Sequence, residues 1–112
     1  MSFSGCRSSG LITADTLVHT GRCKLVSIHG YNEHAGAACV VIIYDNTAAS
    51  GKVVAKLRLP ALNAAGTDGS GQATSEPQEP NPAEFDMHGG ICHNGLYVDV
   101  TSGTPNLTIE YA

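Results

Sequence analysis

Tryptophan is absent from this 112-residue chain, and aromatic residues make up only 5% of it. Small sugar-binding sandwiches commonly present broad exposed aromatic rings, so any such face here must be built from four tyrosines and two phenylalanines. Charge is also scarce, at 14% of residues. All six bases (Arg7, Arg22, Lys24, Lys52, Lys56, Arg58) precede residue 59, and residues 59–112 hold seven acids and no base. A net charge of −4 without a Lys/Arg cluster argues against nucleic acid as the main partner, because phosphate neutralisation needs such clusters. No stretch approaches the roughly 20 apolar residues of a membrane-spanning helix, so no membrane partner is expected. No apolar run in residues 1–16 has the length of a signal-peptide core, and the chain is expected to be made and assembled in a cytoplasm. The helical period of 3.6 is not sustained over any helix-length window.

The four cysteines, Cys6, Cys23, Cys39 and Cys92, are widely spaced, and no Cys-x-x-Cys occurs. In a reducing compartment they read as free thiols, with Cys39 a small core residue. The low charge leaves a surface of Ser, Thr, Asn, Gly and Ala, which suits packing against neighbours. The basic first half and acidic second half are expected to meet as facing strands and largely neutralise each other; the alternative is complementary patches for subunit contact.

What is present is organised around residues 37–59. Ala-Ala-Cys-Val-Val-Ile-Ile-Tyr-Asp is apolar on both faces and β-branched, as a central buried strand requires. Asp45, Asn46 and Gly51 bracket a turn. Lys-Val-Val-Ala-Lys-Leu-Arg-Leu then alternates, with Val53, Ala55, Leu57 and Leu59 on one side and Lys52, Val54, Lys56 and Arg58 on the other. This is a β-hairpin. A strand is also predicted over 21–31, with Cys23, Leu25, Ser27, His29 and Tyr31 on one face and Lys24, Val26 and Ile28 on the other. A short edge strand is predicted around Thr16 to Thr20, and another over 83–88. Asn94-Gly95 is a strong tight-turn signal, and residues 94–111 read as a second hairpin.

The count of six to eight short strands with little or no helix predicts an all-β fold. The natural closure is a small antiparallel β-sandwich or jelly-roll-like barrel. Residues 1–16 read as an N-terminal arm, with Phe3 and Arg7 available to a neighbour, and 17–112 as the sandwich. A long Gly/Pro-rich loop at 60–83 interrupts it; loops of this length in a small domain are usually functional.

No residue pattern carries catalysis. Cys92, His93, His88, His29, His34, Cys23 and Cys39 are potential metal ligands, but none has zinc-finger or His-x-x-x-His spacing. Adjacent Cys92 and His93 point to opposite faces of an extended strand. A Cys/His nucleophile would need a helix N-terminus or cationic neighbour to lower the thiol pKa, and no helix is predicted. Asp68, Glu76 and Glu79 lack the spacing of a calcium loop. The reading is therefore no catalytic residue, no cofactor and no metal site. Tyr44 and Tyr97 are the residues set on outer faces, where they either cover strand ends or meet a ligand.

Three stretches together carry a family likeness. They are Cys-Lys-Leu-Val-Ser-Ile-His-Gly, Ile-Ile-Tyr-Asp-Asn-Thr-Ala-Ala-Ser-Gly-Lys-Val-Val, and Gly-Gly-Ile-Cys-His-Asn-Gly-Leu-Tyr-Val-Asp-Val-Thr-Ser-Gly-Thr-Pro-Asn-Leu-Thr-Ile-Glu-Tyr. In this order, over roughly residues 20–112, the chain resembles small β-sandwich virion structural proteins of tailed bacteriophages. The resemblance implies a non-enzymatic building block, in its best-placed version a capsid cement or decoration protein bound to the major capsid protein. The alternative is a tail, neck or fibre-associated component, including a host-glycan-binding module. It implies a virion location after assembly in the host cytoplasm, contact with virion proteins, and self-association as a dimer or trimer. Phe3, Arg7, Tyr44 and Tyr97 are the expected partner-binding residues.

Overall fold

The computed structural model describes residues 6–34, 37–61 and 83–112. Eight strands form: β1 (Arg7–Ser8), β2 (Thr16–Thr20), β3 (Cys23–Asn32), β4 (Cys39–Asp45), β5 (Lys52–Leu59), β6 (Ala83–Cys92), β7 (Gly95–Val100) and β8 (Pro105–Tyr111). No helix occurs among the described residues. All strand pairs are antiparallel, and the strands divide into two sheets. Sheet A has the order β1-β8-β3-β6 and sheet B the order β2-β7-β4-β5.

The order has a simple logic. β4 pairs with β5, β3 with β6, β2 with β7 and β1 with β8. The chain is thus one long antiparallel ribbon turned back at the β4–β5 hairpin. Rolling that ribbon brings β8 beside β3 and β7 beside β4. The result is the predicted small antiparallel β-sandwich, its two sheets connected in jelly-roll order.

The β4–β5 hairpin lies where the turn chemistry put it. The Asn46 side-chain nitrogen donates to the Ser50 carbonyl at 2.9 Å, and Gly51 takes a φ of +87°. The second predicted hairpin does not form: β7 lies in sheet B and β8 in sheet A. Alternation identifies a strand but not its partner. The connection from β7 to β8 instead crosses the sandwich and packs on buried Asn32. Asn32 Oδ1 accepts the Thr104 N–H at 3.0 Å, and its amide nitrogen donates to the Ala37 carbonyl at 2.8 Å. A Cβ at Gly103 would stand 2.8 Å from Cys39 Cβ, so only glycine fits that turn.

Between the sheets lie Leu25, Ile28, Ile109 and Leu107 from sheet A, and Val41, Ile43, Leu96 and Val98 from sheet B, all fully buried. β4 is central and alternates between buried and half-buried positions. Three β-bulges reset which side chains join this core. In β5 the register passes from Ile43↔Ala55 to Tyr44↔Val53, leaving Val54 as the extra residue. Val54 packs on the core and Val53 faces out, which reverses the predicted faces at these two positions. In β3 the register slips between Leu25 and Ser27. Cys23 and Leu25 are buried as one face, but beyond the slip the buried residue is Ile28, which alternation sets on the opposite face from them. His29 and Tyr31 are turned outward. A third bulge, between Leu17 and His19 in β2, sends Val18 to the core and leaves Leu17 outside.

Residues 7–12 lie along sheet A, and the chain then crosses to sheet B, where Asp15 accepts the Val100 N–H at 2.7 Å. Ser9 N–H donates to the Ile109 carbonyl at 2.8 Å, while Ser9 Oγ accepts the Ile109 N–H at 2.9 Å. Ile12 and Leu107 exchange two backbone hydrogen bonds, and Ile12 is 2% exposed in the core. The loop assigned to 60–83 falls at 62–82 outside the described residues, as does Phe3.

Candidate functional site

Tyr44 and Tyr97, on separate strands in the sequence, are direct cross-strand partners in sheet B. Leu17 is the partner of Tyr97 on its other side, and Val53 the partner of Tyr44. The four residues form one row across all four strands, Leu17-Tyr97-Tyr44-Val53, on the outer face of the sheet. With strands about 4.8 Å apart, the row is about 14 Å wide. Leu17 is 45% exposed and Val53 49%, and both tyrosines are half-buried.

The β5 bulge completes this row: continued from Ile43↔Ala55 without the slip, the register would set Val54 and not Val53 beside Tyr44. The next row on the same face is Asp99-Ile42-Lys56, and the one after sets Val40 beside Arg58. The face therefore has tyrosines and aliphatics flanked by charge. Tyrosine-centred apolar patches with a polar rim are the usual anatomy of protein–protein contacts. Arg7 is exposed on β1, at the edge of sheet A, and does not join the tyrosine row.

Among the described residues, the basic first half and the acidic second half do not neutralise each other through ion pairs. Among the described residues, the only ion pairs involve histidine: His29 Nε2 to Glu110 at 3.8 Å and His88 Nδ1 to Asp86 at 3.6 Å. The strands of the two halves do lie side by side, but their Lys and Arg side chains make no carboxylate contact there. Burial first, and then the neighbouring Asp15 carboxylate, raises the Asp99 pKa.

The buried ionisable groups serve the fold. Asp45, at the end of β4, accepts backbone N–H bonds from His93, Asn94 and Gly95 at 3.0, 2.7 and 3.4 Å. The His93 and Asn94 amides hold its carboxyl below the usual carboxylate range. Cys23 and Cys92 face each other across β3 and β6 in the core. Burial pushes the Cys92 thiol up to about 11 and raises Cys23 and Cys39 as well. These thiols are protonated at neutral pH, the opposite of an activated nucleophile. Among the described residues, no three His, Cys, Asp or Glu side chains converge in a metal-binding arrangement.

A groove of about 660 Å³ opens on the other sheet, where β3, β6 and β8 present His29, Tyr31, Glu84, Asn106 and Thr108. Sequence alternation missed it, since His29 and Tyr31 face outward only because of the β3 bulge. Comparison with protein-family models, curated proteins and solved structures finds no match to this chain.

Proposed function

We propose that this chain is a non-enzymatic virion structural protein of a tailed bacteriophage. In this reading it is a capsid cement or decoration protein, assembled in the host cytoplasm, that binds the outer shell and bridges major capsid subunits. The observation that carries the reading is the Leu17-Tyr97-Tyr44-Val53 row. Tyr44 and Tyr97 come from the two sequence stretches that most define the resemblance, and the fold brings them together on one exposed face. Tyrosine supplies large contact area with little rotamer entropy to lose. The low overall charge removes little solvation when such a face is covered. A row of this width makes a weak contact alone. Repeated by capsid symmetry, or by a dimer or trimer of this chain, weak contacts add through effective concentration.

Capsids assembled from the major capsid protein of the same genome provide the test. The purified chain is expected to co-sediment with them to saturation and to delay their thermal disruption. Tyr44→Ala and Tyr97→Ala should each weaken binding by about tenfold or more while the protein remains folded. Absence of binding by the unmodified chain, or full binding by both variants, overturns the reading.

A further inference from the structure

We propose that the outer face of sheet A carries a second, separate binding site, for a neutral saccharide. The groove of about 660 Å³ falls in the size range of small-molecule sites. Its walls supply the two kinds of surface a sugar ring needs. Leu11, 68% exposed, and the ring of Tyr31 offer apolar surface for the C–H face of a pyranose. His29, Thr108, Asn106 and Glu84 offer donors and acceptors for its hydroxyls.

The strand register sets these groups in two adjoining rows. His29 stands between Thr108 on β8 and Glu84 on β6, and Tyr31 stands beside Asn106. The Asn106 side-chain nitrogen is buried and has no hydrogen-bond partner. A desolvated donor without a partner is unfavourable, and this nitrogen meets a ligand hydroxyl only when the Asn106 amide turns into the groove. Tyr31 is also steadied, since its hydroxyl donates to Glu33 at 3.3 Å.

Charge and backbone narrow the ligand class. Among the described residues, no Lys or Arg lines the groove, Glu84 is on its wall, and Glu110 sits 3.8 Å from His29 Nε2. Phosphates, sulfated sugars and sialic acids would meet this negative potential unpaired. A peptide strand is disfavoured because the floor is β3, whose backbone is already paired to both β6 and β8, so recognition must come from side chains. A hydroxyl-rich, uncharged ring satisfies both constraints. The site shares no residue with the tyrosine row on sheet B, so capsid binding neither supports nor removes it.

The test is a two-dimensional amide NMR titration of the isolated full-length chain. The probes are lactose, maltose and chitobiose, with 3′-sialyllactose as the anionic counterpart. At least one neutral disaccharide is expected to give saturable shifts centred on His29, Tyr31 and Thr108, and 3′-sialyllactose should bind more weakly than lactose if lactose is the ligand. Tyr31→Ala should weaken the interaction by about tenfold, and Tyr31→Phe, which keeps the ring, should weaken it less. Both variants are checked for an unchanged amide spectrum away from the groove. No saturable shift with any of the three neutral sugars, shifts centred on Tyr44 and Tyr97 instead, or equal binding by Tyr31→Ala overturns the proposal.

Discussion

Asp45 is 4% exposed where β4 ends against the turn into β7. Its three backbone donors are the N–H groups that the turn would otherwise leave without partners. Because the folded-state pKa is lowered, its contribution to stability is present above the ordinary carboxylate range and is lost as pH falls through the folded value. Asp45→Ala should therefore cost about 3 kcal/mol at neutral pH, read by urea unfolding, and should flatten the acid limb of the stability profile. Asp99 has the opposite sign. Its pKa is raised by burial and by Asp15, so its stabilising contribution belongs to low pH and is lost as pH rises through the folded value. Asp99→Asn should raise the unfolding midpoint at neutral pH and change it little in acid. A rise that is equal at both pH values would show that packing, not ionisation, is responsible.

The bulges decide how much could be read at the scale of an element. β2 and the β4–β5 hairpin follow directly from the residues: a β-branched run, a turn of Asn46 to Gly51, and an alternating run have few other solutions. Which way each side chain points is a parity question, and one extra residue inverts it. Nothing local in Lys-Val-Val-Ala marks Val54 rather than Val53 as the core residue, and Leu-Val-Ser-Ile gives no sign that Ile28 takes the inside. Those choices are made by partners many residues away. Tyr44 and Tyr97 were legible as outward residues, but their meeting was not, because it depends on β7 leaving its expected hairpin for sheet B. The groove was not legible at all for the same parity reason. A pair of substitutions separates the two readings of β5. Val53→Asp should change stability by less than about 0.5 kcal/mol, as at an exposed site. Val54→Asp should cost roughly 2–3 kcal/mol, because it buries a carboxylate against the core. Equal effects would mean that the bulge is absent in solution.

For the whole molecule, the rolled ribbon makes the two ends of the chain responsible for one sheet. β8 lies between β1 and β3, so sheet A closes only when residues near 7 and near 111 are paired. Loop closure over nearly the full chain must precede that gain, which favours slow folding with the ends joining late. The two ends are not equal, however. β1 is a two-residue edge strand, while β8 contributes Leu107 and Ile109 to the centre of the core. A chain lacking residues 1–10 keeps Ile12 and its exchange of hydrogen bonds with Leu107, and should still unfold cooperatively at a lower urea midpoint. Ile12→Ala in the full chain should cost about 3 kcal/mol. A chain ending before Pro105 loses the strand that β1 and β3 both pair with, and exposes the inner face of sheet B. It should show neither a cooperative transition nor dispersed amide resonances. If that shortened chain folds, sheet B with β3 and β6 is a stable unit by itself, and the account of the fold as one co-dependent roll fails.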